Sequence, residues 1–337
     1  MMRGMAAIAA GAAVAAIGLG AGGAWAQADF YAGKTVTFVV GNSAGGGHDA
    51  YARLLSRHIA RAIPGGPNLI VQNMPGAASS KAVMYLDQAA PKDGTVVTTF
   101  APDIITQSLL EPEKMRIDFS KLAWVGSMTR DLRACYAWHA TNVKTWDDLR
   151  KHPKFNVGSG AAGSSSYING AILIHVFGIK INQVLGYPGS SEIRLAIERG
   201  ELDGACGSWS SVPAAWVKDE KVHALVRFSA VDLPGRANVP YIVDRAETID
   251  EKRILTLLLA SGEIARPYVM SASVPSERVE ILRRAFDATM KDAAFLGDAE
   301  KQSLPIYPVS GADAAALVKE IYGASPAVVA AARDAIQ

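Results

Sequence analysis

Two cysteines in 337 residues, aromatic side chains at only 7 %, and no block of like charges set the first limits on this chain. Cys135 and Cys206 are too few for a disulfide-rich scaffold, and their separation fits no metal motif. The six histidines, His48, His58, His139, His152, His175 and His223, are scattered without ligand spacing, so neither a metal nor a cofactor is expected. A net charge of +2, with acids and bases interspersed, leaves no basic stripe to track phosphates, which argues against nucleic acid as a partner. The scarcity of aromatics argues weakly against a sugar-stacking cleft. Beyond the N-terminus no stretch approaches the ~20 apolar residues of a spanning helix. The longest, 254–264, is short and broken by Gly262 and Glu263. The mature chain is expected to be soluble.

The first 26 residues are of another kind. One charge, Arg3, precedes an Ala/Gly/Val/Ile run that closes on Ala24-Trp25-Ala26. That is the pattern of a cleaved secretory signal, and no basic stop-transfer cluster follows it. Export places Cys135 and Cys206 in an oxidising compartment, where they are either joined or remain two buried thiols.

From residue 35 onward short apolar runs alternate with segments of helical period, the mark of βαβ units around a mostly parallel sheet. Strands are expected over 35–40, 69–72 and 95–101, with helices from about 49 to 63 and over 80–89. The pattern repeats from residue 154: strands over 155–158, 181–185 and 202–207, and helices over 165–177, closed by Gly178, and 191–199, closed by Gly200. Local sequence repeats too, since Val40-Gly41-Asn42-Ser43-Ala44-Gly45-Gly46 aligns with Val157-Gly158-Ser159-Gly160-Ala161-Ala162-Gly163. A strand over 226–230 and a Pro-containing return over 233–240 lead to three further helical patterns, the last over 325–336 with Val328, Val329, Ala332 and Ile336 on one face.

Both repeated loops run from a strand end into a helix N-terminus, where unpaired N–H groups and the helix dipole favour an anion. Gly45, Gly46 and Gly47 let a carboxylate approach the backbone, and Ser159, Ser164, Ser165 and Ser166 add hydroxyls. Neither loop contains Lys or Arg, so amides and hydroxyls are expected to hold the acid. Three enzyme motifs fail at these loops. Residues 41–48 lack the Gly-Lys-Ser/Thr ending of a phosphate loop. Gly158-Ser159-Gly160-Ala161-Ala162-Gly163 spells a dinucleotide fingerprint, but no acid stands about 20 residues on. Gly41-Asn42-Ser43-Ala44-Gly45 spells a nucleophile elbow, yet residues 44–47 separate Ser43 from the helix and no earlier strand supplies an oxyanion loop. His48 is either a ligand contact or a first-turn surface histidine. Asp49 fits best as a first-turn acid facing the dipole. Asp203 could accept from ligand or water, or could be a solvated turn residue.

The order of local motifs resembles the periplasmic receptors of tripartite tricarboxylate transporters, the Bug family. It runs through the glycine loop with its Ala-Arg-Leu-Leu helix, then Asn73-Met74-Pro75-Gly76-Ala77, Pro91-Lys92-Asp93-Gly94-Thr95, Gly158 to Ser165, Tyr187-Pro188-Gly189 and Gly200-Glu201-Leu202-Asp203. Asn42-Ser43-Ala44 and Ser166-Tyr167 depart from that family's usual Pro-Phe-Pro and His-Leu. The resemblance implies an α/β type II periplasmic-binding-protein fold, two wound lobes joined by crossover strands near Cys135 and Val226. It also implies a small organic acid between the lobes, and membrane transporter subunits as partners of a monomeric, non-enzymatic receptor. Site roles would fall on Gly45, Gly46, Gly47, Asp49, Ser159, Gly163, Ser164, Ser165, Gly189, Ser190 and Asp203, with His48 beside them. The expected division is a signal over 1–26, lobe one over 28–128 plus 230–337, and lobe two over 129–229. The competing readings are a secreted α/β enzyme acting on small acids, with Ser43 as nucleophile, and a periplasmic sensor module.

Overall fold

The computed structural model describes residues 30–42, 44–45, 47–113, 117–160, 164–187 and 190–336. The expected export signal, Ser43, Gly46, Gly163 and Gly189 lie outside these. β1 (Thr35–Val40) is a β-branched and aromatic run whose side chains alternate between two cores. It lies between β2 (Asn68–Asn73) and β3 (Val96–Thr99), parallel to both. α1 (Gly47–Ile59) joins β1 to β2 and buries Tyr51, Leu54, Leu55 and Ile59 against one sheet face, with Phe38 beneath. Each such side chain contributes about 2 kcal/mol of burial. α2 (Ser80–Gln88) and α3 (Asp103–Leu110) flank β3, and Val83, Leu86, Phe100 and Ile104 fill the other face. β4 (Ala123–Ser127) leaves this sheet, and only residues 128–132 separate it from β5 (Arg133–Trp138) in a second sheet.

The second sheet repeats the winding. β6 (Phe155–Gly158) lies between β7 (Ile181–Val184) and β8 (Gly204–Ser208), parallel to both. β5 runs antiparallel between β8 and β9 (Val222–Arg227). α4 (Trp146–Lys151), α5 (Ser165–His175), α6 (Ser190–Glu198) and α7 (Ala214–Lys218) cover it. The chain then returns through α8 (Ile249–Glu263) to β10 (Pro267–Met270), which enters the first sheet antiparallel between β3 and β4. α9 (Ser276–Thr289), α10 (Ala293–Lys301), β11 (Val309–Ser310), α11 (Gly311–Tyr322) and α12 (Pro326–Asp334) complete it. The sheet orders are β2-β1-β3-β10-β4-β11 and β7-β6-β8-β5-β9. Each places the second strand of its unit outermost, then the first, the third, an antiparallel strand from across the bridge, and a fourth.

Two expectations need correction. The strand expected over 226–230 is β9 over 222–227, because its pairing with Arg133–Trp138 sets its length and carries His223 into the ladder. The three helical patterns expected after residue 240 are five helices. Asp292, three residues past the end of α9, accepts from the Phe295 amide and restarts the chain as α10, and Ser325 caps α12 just after α11. Cys135 and Cys206 are register partners on β5 and β8, fully buried, and joined as a disulfide.

Candidate functional site

At the C-terminal edge of the first sheet lie the ends of β1, β2, β3 and β4 and, because β10 is antiparallel, its start. The loops there are tied together. The Gly41 amide donates to the Thr99 carbonyl at 2.9 Å. The Ser79 hydroxyl donates to Asn42 Oδ1 at 3.2 Å and accepts from the Ala101 amide at 3.1 Å. A Cβ at position 41 would fall 2.6 Å from that of Ser79, so only glycine permits this approach. Ala77 and Ser79 take left-handed φ values of 45° and 79° to close the loop, strain of a kind that clusters at binding sites.

Asp49 organises the glycine loop from beneath. One carboxylate oxygen accepts from the Gly45 amide at 2.8 Å and Arg53 Nε at 2.9 Å, and the other accepts from Asn73 Nδ2 at 2.9 Å. The Arg53 hydrogen bond is the largest cause holding its carboxyl down at about 2, against the opposing effect of burial. Asp49 is therefore an internal brace, and the Gly45 amide, at φ 80°, serves that brace. Gly47 opens α1. His48 follows it, its pKa pushed down to about 3 by burial and by the Arg266 guanidinium, so the ring is neutral at ordinary pH. Its Nε2 is buried without a partner among the described residues.

The second edge gathers the ends of β6, β7, β8 and β9 and the start of β5. Ser164 caps α5, its Oγ accepting from the Tyr167 amide at 3.3 Å and lying 3.2 Å from Ser166 Oγ. Ser166 Oγ accepts from the Gly160 amide at 3.0 Å. Ser159 is fully buried, its hydroxyl accepting from Gln183 Nε2 at 3.1 Å while its carbonyl accepts from the Tyr187 amide at 3.2 Å. Ser165 opens α5, and Ser190 opens α6 with its hydroxyl accepting from Arg194. Asp203 stands elsewhere. It precedes β8 at the opposite end of the strand and accepts from the Asn156 amide at 2.7 Å and Asn156 Nδ2 at 2.8 Å, bracing the sheet away from the loops.

What relates the two edges is the short bridge. Five residues span at most ~16–18 Å, and residues 128–132 leave the C-terminal edge of the first sheet and enter the second at its own. Arg130 pairs with Glu263 at 3.0 Å, and Glu263 also accepts from the Ala230 amide at 2.8 Å. Arg133 pairs with Asp131 at 2.6 Å, and Ser208, at the end of β8, donates to Asp131 at 2.8 Å. Burial pushes the Asp131 carboxyl up, but Arg133, these hydrogen bonds and Arg266 outweigh it and keep the group ionised. Arg266 lies against Gly47: a Cβ there would meet its Nη2 at 3.1 Å. The loops alone conceal this cation, because it arrives from the α8–β10 junction, far along the chain, as a lone arginine before an apolar run.

Two parallel-stranded units whose C-terminal edges are joined by one short bridge have the arrangement in which α/β folds form binding clefts. No family model and no curated protein matches the chain. Solved structures do. A TctC solute binding protein from Polaromonas superposes with a TM-score of 0.72 at 20 % identity, over 90 % of this chain and 98 % of that one. MatC from Rhodopseudomonas palustris, solved with bound malate, gives 0.55 at 19 % identity over 90 % and 99 %. A second protein of that organism, solved with adipate, gives 0.56 at 19 % identity over 89 % and 97 %. The fold is thus the two-lobe α/β fold of periplasmic binding proteins.

Proposed function

We propose that this protein is a periplasmic solute-binding receptor of the tripartite tricarboxylate type. It captures a small organic acid between its two sheet edges and delivers it, as a monomer and without chemical conversion, to membrane transporter subunits. The observation that carries this reading is the pair of matched strand-to-helix junctions, β1 into α1 and β6 into α5, on sheet edges that one five-residue bridge connects. Backbone amides of α1 and α5 and the serine hydroxyls beside them supply neutral donors for a carboxylate. Malate and adipate in two structures of the same fold support an acid as the ligand. The lobes would divide near residues 128 and 230, and the N-terminal 26 residues would direct export. Opening and closing about the bridge would trap the acid and present the closed form to the transporter.

A thermal-shift screen of mono-, di- and tricarboxylates, with each mixture assayed for product, tests this. Ligand at 100 times its Kd stabilises by about 2.7 kcal/mol, several degrees in Tm. Stabilisation by at least one acid with no conversion is expected. Conversion of an acid or its ester, or a flat response to every acid, would count against the receptor.

A further inference from the structure

The three arginines near the bridge differ in one respect. Arg130 has Glu263 and Arg133 has Asp131, but no carboxylate pairs with Arg266 among the described residues. Its Nη1 donates to the neighbouring Ala265 carbonyl at 2.7 Å, its Nε is buried without a partner, and its guanidinium lies over the Tyr51 ring at 5.3 Å. The Tyr268 hydroxyl, 1 % exposed and also unpartnered among the described residues, is within electrostatic reach of the same cation. Arg266 also packs against Gly47, the first residue of α1, where the helix presents its positive end. Two positive features side by side in a partly buried setting favour an anion between them, and the ionised Asp131, which feels the Arg266 charge, is already held by Arg133 and Ser208 on the bridge and forms no ion pair with Arg266 among the described residues. The acid brace of this helix, Asp49, is already engaged with Gly45, Arg53 and Asn73. His48, the next side chain, is neutral and offers no negative charge.

We propose that Arg266 is the charge anchor of the site: it takes one ionised carboxylate of the ligand at the N-terminus of α1, and so selects acids over their neutral analogues. This rests on the receptor reading and refines it, adding a charge-assisted pair to the amides and hydroxyls. A planar guanidinium matches the two oxygens of a carboxylate, which a lysine ammonium does not. Gly47 is part of the device, since any side chain there would press on Nη2.

The test uses calorimetry with the tightest-binding acid of the carboxylate screen and its primary amide, on the wild type, Arg266→Gln, Arg266→Lys and Gly47→Ala. Removing one member of a desolvated charge pair commonly weakens binding by 30-fold or more. Arg266→Gln should lose about 100-fold. Arg266→Lys should lose about 10-fold, because it keeps charge without the fork. The amide should bind wild type about as weakly as the acid binds Arg266→Gln. Should the glutamine variant not fold, the acid-to-amide ratio in wild type and a several-fold loss in Gly47→Ala carry the same information. Acid affinity in Arg266→Gln within threefold of wild type, or an amide bound as tightly as its acid, would overturn the anchor while leaving the receptor standing. A wild type that binds no acid at all would overturn both.

Discussion

Replacing Asp49 by Asn removes a charge and nothing else from the centre of the glycine loop. The carboxylate accepts three hydrogen bonds, from Gly45, Arg53 and Asn73, and is 3 % exposed. An amide has one oxygen, so in either orientation its NH2 meets a donor. Asn73 cannot turn to compensate, because its Nδ2 also donates to the Asn42 carbonyl and its Oδ1 accepts from Arg53. At least one charge-assisted bond is lost and one donor left facing another, a cost of about 3 kcal/mol. For a chain of this size that is a fall in Tm of about 5 °C. Arg53→Gln is the control: its side chain is 47 % exposed, so solvent screens the ion pair and its loss should cost far less than that of the buried carboxylate. Urea unfolding measures both variants, and calorimetry with an acid ligand measures the loop. A loss below 1 kcal/mol for Asp49→Asn with acid affinity intact would refute the assignment of Asp49 as the brace.

Acid should destabilise the protein in two stages. His48 is neutral in the fold, its pKa lowered from 6.5 to about 3, so its contribution is complete above 6.5 and is lost as pH falls through that window. Asp49 adds a second loss from 3.8 down through about 2. His48→Gln should flatten the first limb in a Tm-versus-pH series, and an unchanged limb would contradict the burial of the ring. The Cys135–Cys206 bond closes a loop of 71 residues, so the double Cys→Ala variant should lose about 4 kcal/mol in urea unfolding. Equal midpoints with and without reductant would show that the thiols are not joined. Ser164→Ala removes the cap of α5 and should cost about 1 kcal/mol of stability, with weaker acid binding at the second edge. Unchanged stability and affinity would remove Ser164 from the site.

Much of the architecture was legible because each βα unit declares itself locally. The 35–40 and 155–158 strands coincide with β1 and β6, and Gly178 and Gly200 stop their helices at φ values of 64° and 74°. What was not legible depends on contacts between distant segments. β10 and β5 cross into the other sheet, and nothing in their composition says which one they join. Asp203 carries a ligand role through the family resemblance, and its two hydrogen bonds from Asn156, at the N-terminal end of β8, depend on a strand register that the local sequence does not show. Asp49 was read correctly as a helix-start acid, though its threefold hydrogen bonding required Asn73 from β2. Arg266 escaped notice altogether, since its meaning lies in its contact with Gly47.

A structure determined with the tightest-binding acid from the carboxylate screen addresses the central claim most directly. The account predicts a carboxylate within hydrogen-bonding distance of the Gly47–Arg266 edge, with the rest of the molecule reaching the Ser164–Ser166 loop. Ligand seated instead in the 610 Å³ cavity among Asp103, Gln107, Ile168, Ser261 and Arg333, or touching one edge alone, would contradict it.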